Sequence, residues 1–188
     1  MSAYLVYNKN VQILGIGGTL RKGSYSKALL LEAQKLAPEG VVIEITEIGE
    51  FPLYNADNEM PSIVQDFKNK IKAADAILFS TAEYNFSVPG SLKNAIDWGS
   101  RPYGDNSWED KPVAIISEST GMLGGVKAQY HLRQMMLFTN MHPLNRPEVI
   151  VGNVAEKFDK QGNLMDEHTR EKIKELLIAL VAWAERLK

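Results

Sequence analysis

The sequence predicts an α/β fold, a doubly wound parallel sheet with helices on both faces. Three observations predict it. Five short apolar or β-branched runs alternate with segments whose apolar residues recur at helical spacing, the pattern of successive strand–helix–strand units. The first and third runs read as strands buried on both faces. The junctions after the first, third and fourth runs are polar or glycine-rich, unlike the routine connections elsewhere. At 188 residues, 45% hydrophobic and 23% charged, the chain reads as one domain over 1–188 with a substantial core.

In chain order, residues 1–10 read as a short N-terminal extension. The first strand is Val11–Gly17. A helix follows over 27–36, with Leu29, Leu30, Ala33 and Leu36 on one face and its start near Ser24 or Tyr25. Pro38-Glu39-Gly40 ends it. The β-branched Val41–Thr46 is the second strand. Pro61 opens a second helix that buries Ile63, Val64, Phe67 and Ile71. Residues 76–81 form the third strand and 82–88 a polar, aromatic loop. Pro89 starts a third helix carrying Leu92, Ala95, Ile96 and Trp98. A loop with Tyr103 and Trp108 precedes the fourth strand, 113–117. A glycine-rich turn leads into a helix over 125–141, and Pro147 precedes a short fifth strand, 148–151. Asp166 caps a last helix whose Ile173, Leu176, Leu177, Leu180 and Ala184 form an apolar stripe.

Composition excludes several functions. A net charge of −2 does not suit a nucleic-acid surface. The absence of cysteine removes disulfides, thiol nucleophiles and cysteine-ligated metals. His131, His142 and His168 match no metal spacing, so no metal site is expected. No apolar h-region stands in 1–10 and no run approaches the ~18 residues of a membrane span, so a cytoplasmic location away from membranes is expected.

The stretch Gly17-Gly18-Thr19-Leu20-Arg21-Lys22-Gly23-Ser24-Tyr25-Ser26 is a strand-to-helix turn with the chemistry of a phosphate cradle. Gly17 and Gly18 permit close backbone approach, Thr19, Ser24 and Ser26 carry hydroxyls, and Arg21 carries a planar cation. The following helix points its free N–H groups and positive dipole end at the same place. The G-x-G-x-x-G fingerprint fails at Leu20, and no P-loop is present. A plain glycine- and serine-rich turn with a solvated arginine would look the same. In a sheet of order 2-1-3-4-5 the strand order reverses between strands one and three, and a ligand sits outside their carboxyl ends. The loops after strands one, three and four then meet at one crevice. The second offers Tyr84 and Phe86 as surfaces for a flat ring, beside Glu83 and Asn85, unless those rings pack on the neighbouring helix. The third, with Ser119, Thr120 and Gly121, offers backbone donors, unless it is an ordinary βα turn. Together they fit a planar heterocycle with a terminal phosphate.

These same residues resemble a known family. Gly18-Thr19-Leu20-Arg21-Lys22-Gly23-Ser24-Tyr25-Ser26 resembles the G-S-x-R-x-x-S-x-N loop of NAD(P)H-dependent FMN reductases. The run from Ala82-Glu83-Tyr84-Asn85-Phe86-Ser87 to Asn94-Ala95-Ile96-Asp97-Trp98 is similar to their P-E-Y-N-x-S-x-P-G-x-L-K-N-A-I-D-W. Gly124-Gly125-Val126-Lys127-Ala128-Gln129-Tyr130-His131-Leu132-Arg133-Gln134 resembles the G-G-A-R-x-Q-Y-H-L-R-Q of the chromate/quinone reductase branch. The resemblance implies a flavodoxin-like fold, bound FMN, NADPH or NADH as co-substrate, and a homodimer or homotetramer with the flavin near a subunit interface. It implies that Gly18, Thr19, Arg21, Ser24, Tyr25 and Ser26 hold the phosphate side, that Glu83, Tyr84, Asn85 and Phe86 border the ring, and that Ser119, Thr120 and Gly121 supply donors near it. The chain departs from the pattern with Thr19 for Ser, Ser26 for Asn, Ala82 for Pro and Lys127 for Arg.

Three functions follow. The first is an oxidoreductase passing electrons from NAD(P)H through FMN to a small acceptor: a quinone, an oxidised metal such as chromate, an azo compound or flavin. The cofactor carries that chemistry, so no catalytic residue is named. The second is a flavodoxin-type electron carrier without NAD(P)H activity, which the modest charge and Arg21 count against. The third is a binding module that has lost its cofactor, which the three intact loops count against.

Overall fold

The computed structural model describes residues 11–188, so the expected extension over 1–10 lies outside the described residues. The strands are β1 (Val11–Gly17), β2 (Val41–Thr46), β3 (Ala76–Ala82), β4 (Pro112–Glu118), β5 (His142–Pro143) and β6 (Val149–Val151). The helices are α1 (Tyr25–Lys35), α2 (Ser62–Ala73), α3 (Gly90–Gly99), α4 (Val126–Thr139) and α5 (Glu167–Arg186). All pairings are parallel: β1 with β2 and β3, β3 with β4, and β4 with both β5 and β6. The order is thus 2-1-3-4-5, as a flavodoxin-like fold requires.

The expected single fifth strand is two short pieces. His142–Pro143 pairs with Pro112 and Val113 at the start of β4, and Val149–Val151 pairs with Ile116 to Glu118 at its end. Pro143 and Pro147 have no N–H to give the ladder, so the chain leaves the sheet between the two pieces.

Each helix starts where its sequence signals it. Ser24 accepts from the Lys27 N–H at the start of α1, and Asp166 accepts from the Thr169 N–H at the start of α5. On α2, Val64, Phe67 and Ile71 face the core, but Ile63 stands one position off that stripe and is 36% exposed, against expectation. Residues of α2, α3 and α4, among them Phe67, Leu92, Trp98, Leu132 and Met136, fill the core on one face of the sheet. Residues of α1 and α5, among them Leu29, Leu30, Leu177 and Leu180, fill it on the other. No helix of the described residues is long and apolar enough to cross a membrane.

One buried group was not legible as such. Lys68 on α2 is fully buried. Its Nζ donates to the carbonyls of Arg101 and Asp105 and pairs with the Asp105 carboxylate at 2.9 Å. It pins the loop after α3, whose Trp108 is buried with its indole N–H on the Ile96 carbonyl at 3.0 Å. Lys68→Met keeps the volume but deprives the Arg101 and Asp105 carbonyls of this donor and leaves the Asp105 carboxylate with Lys72 alone among the described residues. It should lower the unfolding free energy by about 2–3 kcal/mol. Urea unfolding should show a lower midpoint at unchanged slope; an unmoved midpoint would mean that the loop is held by its other contacts, among them Trp108 and the Lys72–Asp105 pair.

Candidate active site

The turn after β1 packs against β3 and α3. The Gly18 N–H donates to the Ser80 carbonyl at 2.8 Å, and the Gly18 carbonyl accepts from Ser91 Oγ at 2.9 Å. A Cβ on Gly18 would stand 3.2 Å from the side chains of Leu92 and Thr81. The glycine is therefore needed for the chain's own packing, where sequence assigned it to ligand approach. Beyond it the loop opens. Thr19 Oγ1 lies 3.1 Å from Tyr84 Oη. Arg21 is exposed; its guanidinium donates to the Gly23 carbonyl at 2.7 Å and lies 5.7 Å from the Tyr25 ring centre. Ser26 behaves differently from the other hydroxyls. It is fully buried and donates to Glu118 Oε1 at 2.9 Å.

The loop after β3 is a tight hairpin. Tyr84 and Ser87 exchange backbone hydrogen bonds at 2.9 and 3.0 Å. Between them, Asn85 and Phe86 have φ of 50° and 65°, the geometry of a two-residue turn that glycine normally serves. The hairpin is tied to α4. Glu83 Oε2 accepts from the N–H groups of Lys127 and Ala128 at 3.0 and 3.2 Å. It caps a helix whose own N-cap, Gly125, offers no side chain. Lys127 Nζ sits 3.1 Å from the Phe86 ring centre, and Ser87 Oγ lies 2.8 Å from His131 Nδ1. Tyr84 and Phe86 are 48% and 69% exposed, so neither ring is spent on core packing.

The turn after β4 is held by the segment that follows β6. Ser119 N–H donates to Val151, and Val154 N–H donates to Ser119, at 3.1 and 3.0 Å. The Gly121 N–H is taken by Ser119 Oγ and its carbonyl by the Asn153 N–H, each at 3.1 Å.

The three loops enclose a cavity of about 150 Å³. Thr19, Arg21, Ser24, Tyr25, Glu83, Tyr84, Ser119 and Thr120, all picked out by sequence, line it. Gly18, Ser26, Asn85, Phe86 and Gly121 do not: Ser26 and Gly121 are engaged within the protein, and the exposed Phe86 ring lies against Lys127. Ala82 and Glu118 line it and were missed. The signal for Glu118 was a lone charge ending an apolar strand. It is 5% exposed. Burial pushes its carboxyl above the usual glutamate range, against the opposing pull of the Ser26 hydroxyl and the Arg21 charge. A larger cleft of about 330 Å³ lies beside the first half of β1, lined by Gln12, Leu14, Glu44 and Lys70, away from these loops.

The donor set suits a flavin nucleotide. A cation, hydroxyls and a helix N-terminus meet in a small cavity, as a phosphate needs, and the exposed ring of Tyr84 lines it. A 2-1-3-4-5 sheet with such a cradle at its switch point defines a flavodoxin-like flavoprotein.

The NADPH-dependent FMN reductase family model matches residues 11–156, and the chain belongs to that family. As a member it is an oxidoreductase with FMN as cofactor and NAD(P)H as co-substrate. It is 48% identical to an NAD(P)H-dependent FMN reductase of Pseudomonas aeruginosa, covering 95% of this chain and 98% of that one. It is 43% identical to an NADPH:quinone oxidoreductase of Arabidopsis thaliana, over 100% of this chain and 99% of that one. Among solved structures, a flavoenzyme NAD(P)H:(acceptor) oxidoreductase of Paracoccus denitrificans superposes with a TM-score of 0.86 at 37% identity, covering 94% and 98% of the two chains.

Phe86 is strained in backbone and mostly in water, which packing does not explain. Such strain costs on the order of 1–3 kcal/mol. Phe86→Gly relieves it and gives the Asn-Gly turn that hairpins favour, while losing the Lys127 contact. Unfolding of the flavin-free protein should show stability unchanged or raised by up to about 1 kcal/mol, with weaker flavin binding. A clear loss of stability would mean that Phe86 is kept for packing.

Proposed function

We propose that this enzyme reduces quinones, using NADPH or NADH and bound FMN. Oxidised metals such as chromate, azo compounds and free flavin are further acceptors that an open site would take. The observation that carries the reading is the meeting of Arg21, the α1 N-terminus and the exposed ring of Tyr84 at one small cavity, with the exposed Phe86 on the same hairpin. Relatives named as FMN reductase and quinone oxidoreductase support it.

When bound, FMN supplies the two-electron chemistry between NAD(P)H and the acceptor. The chain binds and orients. Arg21 and the first turn of α1 hold the phosphate. Tyr84, braced on Thr19, and Phe86, braced on Lys127, offer surface to the ring. Ser119 and Thr120 add donors from the third loop. Reliance on NAD(P)H favours a cytoplasmic location.

The test is anaerobic mixing of the FMN-loaded protein with NADPH or NADH. Flavin absorbance should bleach and return on adding a quinone. Arg21→Ala should weaken FMN binding about ten- to a hundredfold, since a hydrogen bond to a charged group contributes roughly 1.5–3 kcal/mol. Lys22→Ala should change it little, and riboflavin should bind wild type and Arg21→Ala alike. Flavin that stays oxidised would favour the electron carrier. Unchanged FMN affinity in Arg21→Ala would move the phosphate elsewhere.

Assembly as a homodimer or homotetramer is part of the proposal. On α4, Tyr130, Leu137 and Phe138 are 52%, 82% and 70% exposed. Arg101 joins Phe138 to the exposed Tyr103, its guanidinium 4.2 Å from the Tyr103 ring centre and 5.9 Å from that of Phe138. The same helix braces the hairpin after β3, so its partner would stand near the flavin. Light scattering should give at least twice the 21.0 kDa chain mass, and Leu137→Glu with Phe138→Glu should lower it. A monomer of full activity would exclude assembly.

A further inference from the structure

Glu118 has no part in the reading above, on which this inference rests. It ends β4, is 5% exposed and lines the cavity. Its Oε1 accepts from Ser26 Oγ at 2.9 Å, and the Ser26 backbone N–H in the first turn of α1 also draws on the carboxyl. A carboxylate therefore already takes the kind of donor that a phosphate oxygen uses at a helix N-terminus.

The charged and titratable groups around it are Arg21 and Tyr25 on the α1 side and Glu83 and Tyr84 on the loop after β3. Its own turn adds the hydroxyls of Ser119 and Thr120. Glu83 is occupied by the α4 N–H groups, so Arg21 is the cation that faces Glu118. A phosphate monoester in this cradle brings close to two negative charges and competes for the same cation and helix end. Two anions sharing one small site cannot both stay ionised without cost.

We propose that Glu118 is the cradle's resident anion, which holds the Ser26 donors until a phosphate monoester enters and then binds a proton as the phosphate takes over Arg21 and the α1 N-terminus. FMN binding therefore takes up as much as one proton per site through this carboxyl, and riboflavin binding takes up none. The carboxyl holds its proton more tightly in the FMN-loaded protein than in the flavin-free protein. Raising the pH through the range between those two states therefore opposes binding, and this contribution to FMN affinity is fully present below the range.

The test is isothermal titration of the flavin-free full-length chain with FMN and with riboflavin, in buffers of different ionisation heat and across the neutral range. With FMN, wild type should show buffer-dependent heat beyond that of Glu118→Gln, whose remaining dependence reports the phosphate's own titration. At the alkaline end Glu118→Gln should bind FMN about tenfold more tightly and riboflavin unchanged. Ser26→Ala removes a hydroxyl that favours the ionised carboxyl, so it should reduce proton uptake, and it stands in if Glu118→Gln does not fold. Equal proton uptake by wild type and Glu118→Gln, or weakening of both flavins by Glu118→Gln, overturns the proposal. With either result the FMN reading stands as long as FMN binds; if neither flavin binds wild type, that reading falls as well.

Discussion

A strand, a crossover helix and a parallel strand pack back onto a twisted sheet with one hand. The arrangement of this protein depends on that constraint. From β1 the chain steps outward to β2 through α1, then returns past β1 to β3 and continues to β4 in the opposite direction. With the hand of each crossover set, the reversal sends α1 to one face and α2, α3 and α4 to the other. The two hydrophobic layers divide along that line, with α5 covering the face that α1 leaves open. The reversal also leaves a gap between the connections of β1 and β3, since one runs to each face. The cradle lies in that gap, and the polar loops gather there because no helix crosses it.

A gap at the sheet edge needs walls, and the walls are loops, which are ordinarily mobile. Here each is fastened by bonds to a neighbouring element. Ser91 holds the carbonyl of Gly18, Glu83 holds the first N–H groups of α4, and the chain after β6 holds Ser119 and Gly121. Glu83 matters most, because it joins two of the three loops through charge-assisted bonds to backbone. Those fastenings leave the hydroxyl of Thr19, the guanidinium of Arg21 and the rings of Tyr84 and Phe86 at the open side.

Much of the fold was legible because it is written locally. Periodicity marks strands and helices, and Ser24 and Asp166 announce helix starts through bonds to residues three positions on. What was missed depends on contacts distant in sequence. Ser26 and Ser24 look alike in the loop, yet their roles separate because Glu118, far along the chain, reaches one of them. Lys68 reads as an exposed position on a helix until the loop after α3 folds over it and supplies carbonyls. Glu83 was placed at the site, but its helix-capping duty depends on α4 arriving beside it. The divided fifth strand shows the opposite limit. Pro147 was in view, but which segments pair depends on β4 having room for two short partners.

Charge in the cradle follows the same division between local and distant. The loop sequence around Arg21 looks basic, with Lys22 beside it, and suits a dianion by itself. In the folded chain two carboxylates, Glu83 and Glu118, line the same cavity. One is neutralised in effect by a helix end that points at it. The other faces the helix end that a phosphate would use, with Arg21 as the nearby cation. Had Glu118 been free in water, solvent and counterions would screen it and it would weaken the site little. Buried and bonded to Ser26, it cannot move its charge away, which is why the proposed response to a second anion is at its proton. The cradle thus sets one cation and one helix end against a buried carboxyl that belongs to the end of a different strand.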